Sequence, residues 1–93
     1  MKDKELATAL GAIMAKAHEL SNDNYDVFVE YHSHVDMLAI RIYKDGWEEF
    51  KDVDISINIY LDDYYADTII DHLREALHII TDESMLSQER ANA

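Results

Sequence analysis

The chain of 93 residues contains no cysteine, no proline and only two glycines, Gly11 and Gly46. Without cysteine there is no disulfide framework, no thiolate nucleophile and no cysteine-ligated metal. Two isolated glycines cannot build a phosphate-cradling loop, and the G-x-S-x-G elbow of serine hydrolases is absent. Cations are scarce too: eight lysines and arginines stand against twenty acidic residues, for a formal net charge of -12. Such a chain has no basic patch to neutralise phosphates, which argues against direct binding of nucleic acid. No apolar run approaches the ~20 residues of a membrane span. The first apolar segment, residues 6–20, is broken by Lys16, His18 and Glu19, unlike a secretory leader. A cytoplasmic protein of bacterial or phage style, with no membrane contact, is the expectation.

What is present is a foldable pattern. Hydrophobic residues make up 48% of the chain, too many for a disordered acidic tail. Leu6, Leu10, Ile13, Met14, Ala17 and Leu20 recur at three- and four-residue steps, which predicts an amphipathic helix. Ser21, Asn22, Asp23 and Asn24 break it. The period then drops to two. Tyr25, Val27, Val29 and Tyr31 alternate with Asp26, Phe28, Glu30 and His32; Leu38, Ile40 and Ile42 with Ala39, Arg41 and Tyr43; Ile55, Ile57, Ile59 and Leu61 with Asp54, Ser56, Asn58 and Tyr60. These are three half-buried strands. Residues 33–36 form a hairpin connection, and Asp45-Gly46 signals a turn, with the boundary between Trp47 and Val53 left open. A second helix starts near Asp62 or Asp63, with Ala66, Ile69, Ile70, Leu73, Leu77 and Ile80 as its buried stripe; clear periodicity fades after Asp82. The expected fold is a single α+β domain over residues 1–93, ordered helix, three-stranded antiparallel meander, helix. Both helices lie on one sheet face, and the ends, 1–4 and 84–93, fray.

The charge is unevenly placed. Residues 45–83 hold twelve acidic and two basic side chains, a net -10, which leaves -2 for the rest of the chain. Asp63, Asp67, Asp71 and Glu75 follow at four-residue steps and form a ridge along the second helix, spaced by ~6 Å. That ridge is too sparse to copy a DNA strand, with its charge every ~3.4 Å; mimicry would require the cluster Asp45, Glu48, Glu49, Asp52 and Asp54 to join it. Two further features compete for a role. His32, His34 and Asp36 are of metal-ligating type, but a hairpin turn breaks their alternation, and they read as an ordinary polar connection with no metal or other cofactor assigned. The second sheet face, with Phe28, Glu30, Arg41, Tyr43 and Tyr60, is rich in aromatics for a face left to water. Trp47, just after the turn, either folds back over the core edge or anchors an interface.

No catalytic residues are assigned, because a general acid or base needs a concave, partly desolvated setting for which a thin sheet leaves little room. In the order of its elements and its net charge alone the chain is similar to some small phage-encoded inhibitors, including certain anti-CRISPR proteins, and that likeness implies a partner whose nucleic-acid site is occupied. No residue is carried over from it. The reading is a non-enzymatic interaction protein that meets a basic protein, or a nucleic-acid-binding protein, through Asp63, Asp67, Asp71, Glu75, Glu48 and Glu49. The alternative is a homodimer or larger assembly joined through the open face at Phe28, Arg41, Tyr43 and Tyr60.

Overall fold

A computed structural model describes residues 2–61 and 66–91. Two helices and three strands follow in the order α1 (Lys2–Leu20), β1 (Asp26–His32), β2 (Met37–Tyr43), β3 (Ile55–Tyr60) and α2 (Ala66–Ala91). The strands form one antiparallel sheet in the order β1-β2-β3, with β2 in the centre. The fold is α+β, as the alternation of periods requires. The expected helix start at Asp62 or Asp63 lies outside the described residues.

Pairing of Val29 with Ile40 and of Ile40 with Ile57 brings the branched side chains of all three strands onto one face. Val27, Leu38, Ile40, Ile42 and Ile59 of that face pack against Ile13 and Ala17 of α1 and Ile69, Leu73, Ala76 and Ile80 of α2. Branched residues suit this pleated surface, and the helices supply the i, i+3, i+4 stripes that cover it. Met14, counted in the core stripe by spacing, is instead exposed. It sits one step of ~100° round the helix from the fully buried Ile13, past the edge of the contact. Ala76 takes a place in the core that the spacing argument passed over.

α2 continues far beyond Ile80, and small hydroxyl residues make this possible. Ser84 and Ser87 are buried, and Ser87 Oγ donates toward the carbonyls of Asn24 and Lys44, 3.4 and 3.0 Å away. Lys44 Nζ meets Glu83 Oε2 at 3.2 Å. The last part of α2 is thus bound by polar contacts, which leave no hydrophobic period to detect.

The buried Tyr25 hydroxyl donates to the Ile80 carbonyl at 2.7 Å. Burial, and secondarily the charge of Glu83, pushes this phenol well above its ordinary value of 10.0. The folded state therefore holds the phenolic proton more tightly than the unfolded chain. The associated stability is complete below pH ~10, where both states are protonated, and is lost as the pH rises above that value. Denaturant melts between pH 9 and 11 should show a decline in stability that is shallower in Tyr25→Phe, and parallel declines in the two proteins would refute this origin.

Candidate partner-binding surface

The connection from β2 to β3, residues 44–54, folds back across the mouth of the sheet toward the start of β1. Gly46 makes this close approach possible. Its φ is +87°, and any Cβ there would run into the Asp23 carbonyl oxygen. The next amide, Trp47 N–H, donates to Asp26 Oδ2 at 2.8 Å, while Lys44 N–H donates to Asp54 Oδ2 at 2.8 Å and closes the base of the loop. Lys51 Nζ donates to the Gly46 carbonyl at 2.9 Å, and Lys51 N–H donates to the Glu48 carbonyl at 3.1 Å. The loop is therefore latched at both ends and across its middle by specific polar groups.

What the loop presents to water is aromatic and acidic. Trp47 is 52% exposed, and its ring lies 6.4 Å from that of Phe28, which in turn meets Tyr43 edge-on at 5.3 Å. Phe50 is 95% exposed and adopts φ +65°, a region that costs a non-glycine residue about 1 kcal/mol or more. Asp45, Glu48, Glu49 and Asp52 are exposed beside these rings. Trp47 folds back, but over the open sheet face beside Phe28 and not over the edge of the core, and half of it stays in solvent.

The ridge is a separate surface. Asp63 lies outside the described residues, and Asp67 is in α2 but its side chain is not described. Asp71 and Glu75 are exposed, with Arg74 Nη1 3.9 Å from Asp71 Oδ1. Asp82 and Glu89, also exposed, stand seven and fourteen residues beyond Glu75 and extend its line with a drift of ~20° per two turns. The loop touches α2 at Glu83 and Ser87, and Glu83 lies ~12 Å along the helix axis from Glu75 and ~18 Å from Asp71. Glu48 and Glu49 are brought together with Trp47 and Phe50, and Asp71 and Glu75 are not.

On the open face, Phe28 is 38% and Tyr60 57% exposed, but Tyr43 retains only 9% beneath Phe28. Arg41 Nη1 donates to Glu30 Oε1 at 2.7 Å across the β1–β2 pair, so this cation is already matched. At the hairpin, His32 and His34 rings stand 6.2 Å apart, with His32 Nε2 3.3 Å from Glu30 Oε2. Asp36, at φ +49°, accepts from the Tyr31 hydroxyl at 2.7 Å, which pushes that phenol above its ordinary value. Among the described residues no group of three His, Asp or Glu side chains gathers as a metal site. An open groove of about 570 Å³ between α1 and α2 is lined, among the described residues, by Lys4, Glu5, Thr8, Ala9, Ile70 and Arg74. No helix of the described residues is long and apolar enough to cross a membrane.

Sequence reasoning missed Phe50 as an exposed anchor and Asp82 and Glu89 as part of the ridge. The signal for Phe50 lay in its neighbours, Glu48, Glu49 and Asp52, which leave no apolar side for a core. Comparison of the chain with protein-family models, with curated proteins and with solved structures gives no match.

Proposed function

We propose that this chain is a non-enzymatic interaction protein that docks on a basic protein surface, such as a face used for nucleic acid. The supporting observation is the juxtaposition in residues 45–52 of two exposed aromatic anchors, Trp47 and Phe50, with the exposed carboxylates of Asp45, Glu48, Glu49 and Asp52. Interfaces draw affinity from a few desolvated aromatics, while the charged rim steers encounter and excludes wrong partners. A phenylalanine held almost wholly in water, in a strained conformation, gains nothing for the isolated fold and gains much from a pocket. The ridge of Asp71, Glu75, Asp82 and Glu89 adds long-range attraction for the same kind of partner.

The test is a titration of a protein recovered by affinity capture, at low and moderate salt. Association should slow steeply with salt, since charges further apart than ~10 Å are screened at 0.1 M. Glu48→Gln with Glu49→Gln should act on the association rate, and Phe50→Ala should speed dissociation by about tenfold or more, in line with the loss of a buried aromatic anchor. Asp71→Asn with Glu75→Gln should have the smaller effect. A salt-insensitive complex, or one weakened by the α2 pair and not by the loop changes, would overturn this assignment.

A further inference from the structure

The two edges of the sheet are not alike, and the difference follows from which backbone groups point outward. In an antiparallel strand the amide and carbonyl of one residue point to the same side, and the side alternates along the chain. Leu61 N–H donates to the Asp36 carbonyl at 2.8 Å, in register with the strand pairing, while Asp54 N–H reaches the Ile42 carbonyl at 3.1 Å from one residue out of that alternation, where the loop enters β3. With the register Leu38↔Ile59, Ile40↔Ile57 and Ile42↔Ile55, the Leu61 bond turns the backbone groups of residues 55, 57, 59 and 61 toward β2. The amides and carbonyls of Ser56, Asn58 and Tyr60 therefore face outward from β3, with no backbone partner among the described residues.

The β1 edge is defended. Val27 N–H donates to Ser21 Oγ at 3.1 Å, Tyr25 is bridged to Asn22, and Asp26 and Glu30 place charge on the strand. β3, by contrast, reads Ile-Ser-Ile-Asn-Ile-Tyr and carries no charge at all. Monomeric proteins protect a free edge with charge, proline or a bulge, and an uncharged, branched edge strand is a template for another strand. Here Asp54 guards only the end of β3.

We propose that the β3 edge pairs with β3 of a second copy of this chain, antiparallel and two-fold about Asn58, to give a continuous six-stranded sheet. The pattern is self-complementary. With Asn58 facing Asn58 of the second copy, Ser56 faces Tyr60 and all the outward backbone groups find partners. On the open face the two Asn58 amides meet, each able to donate and accept. On the core face Ile57 comes opposite Ile59 of the second copy and Ile55 opposite Leu61. Ile55, Ile57 and Leu61 are partly buried side chains already packed on the core, so the pairing carries that core across the edge. The net charge of -12 per copy opposes association at low salt, and screening removes much of the opposition. This proposal is independent of the loop surface, and the salt responses have opposite signs: docking on a basic partner weakens with salt, and self-pairing strengthens.

The absence of native cysteine makes the register directly testable. Directly facing residues of a hydrogen-bonded pair have Cα atoms ~5.5 Å apart, within the 4.4–6.8 Å reach of a disulfide. Under mild oxidation in ~1 M salt, where the screening length is ~3 Å, the full chain carrying Asn58→Cys should cross-link to a dimer. Ser56→Cys, offset from its own copy by four residues or ~13 Å along the strand, should cross-link at least ~10-fold more slowly, being beyond disulfide reach. Sedimentation of the unmodified protein should show a dimer that grows with concentration and salt, and Asn58→Lys, on an exposed edge position, should return it to monomer with an unchanged circular dichroism spectrum. A protein monomeric at every concentration and salt, equal cross-linking of the two cysteine variants, or a dimer dissociated by Phe28→Asp and untouched by Asn58→Lys would each overturn the proposal; the last would assign self-association to the open face.

Discussion

Gly46→Ala is expected to lower the melting temperature by roughly 10–25 °C, a change of about 2–4 kcal/mol in a domain of this size. Two costs combine. An alanine at φ +87° is in the left-handed region, at about 1 kcal/mol or more. Its Cβ would also press on the Asp23 carbonyl, a backbone atom that cannot rotate away, and relief by backbone shift costs about 1–3 kcal/mol. The shift would act on the Trp47–Asp26 latch, so the same variant should loosen the loop and weaken any partner that depends on Trp47 and Phe50. Thermal melts monitored by far-ultraviolet circular dichroism, beside Trp47 fluorescence, measure both. A melting temperature within ~3 °C of the parent, well under the effect of 1 kcal/mol, would show that Asp23 and its neighbours yield freely.

Ile40→Ala should be as damaging, at about 2–5 kcal/mol. Ile40 is fully buried at the middle of the central strand, paired with Val29 on one side and Ile57 on the other. The backbones of both neighbouring strands are held in place by ladder hydrogen bonds, so the space left by three carbons closes poorly. With total stability on the order of 5–10 kcal/mol, the variant should lose a large part of its margin and unfold at much lower denaturant. Exposed Val35→Ala, in the hairpin, should change stability by less than ~0.5 kcal/mol. Equal midpoints for the two variants would mean that the sheet centre is not the packed core described above.

The contrast between those two sites also marks what a sequence can and cannot disclose. Ile40 was legible because its burial follows from period-two alternation within one strand, and the stripe Ile69, Leu73, Ile80 because it follows from period 3.6 within one helix. Local repetition carries that information. The path of residues 44–54 was not legible, since it depends on Asp23 and Asp26, about twenty positions earlier in the chain. Ser87 was unreadable for a related reason: a buried hydroxyl needs an acceptor, and those that receive it here are the distant carbonyls of Asn24 and Lys44. Charge density was plain from composition, but its division into a loop surface and a helix surface required the contact between Lys44 and Glu83. The edge groups of β3 were hidden for a different reason, because sequence alternation tells which face a side chain takes and not which strand its amide finds.

The tie between Ser87 and the chain near Asn24 spans 63 positions, and that between Tyr25 and Ile80 spans 55. Closing segments of that length draws heavily on chain entropy before any contact compensates for it. During synthesis α1 and the three strands are complete well before the second half of α2 exists, and the part of the sheet's apolar side that α2 covers stays open until it docks. Until α2 docks, the branched side chains of β2 and β3 that it covers are the part of this fold most open to the wrong partner.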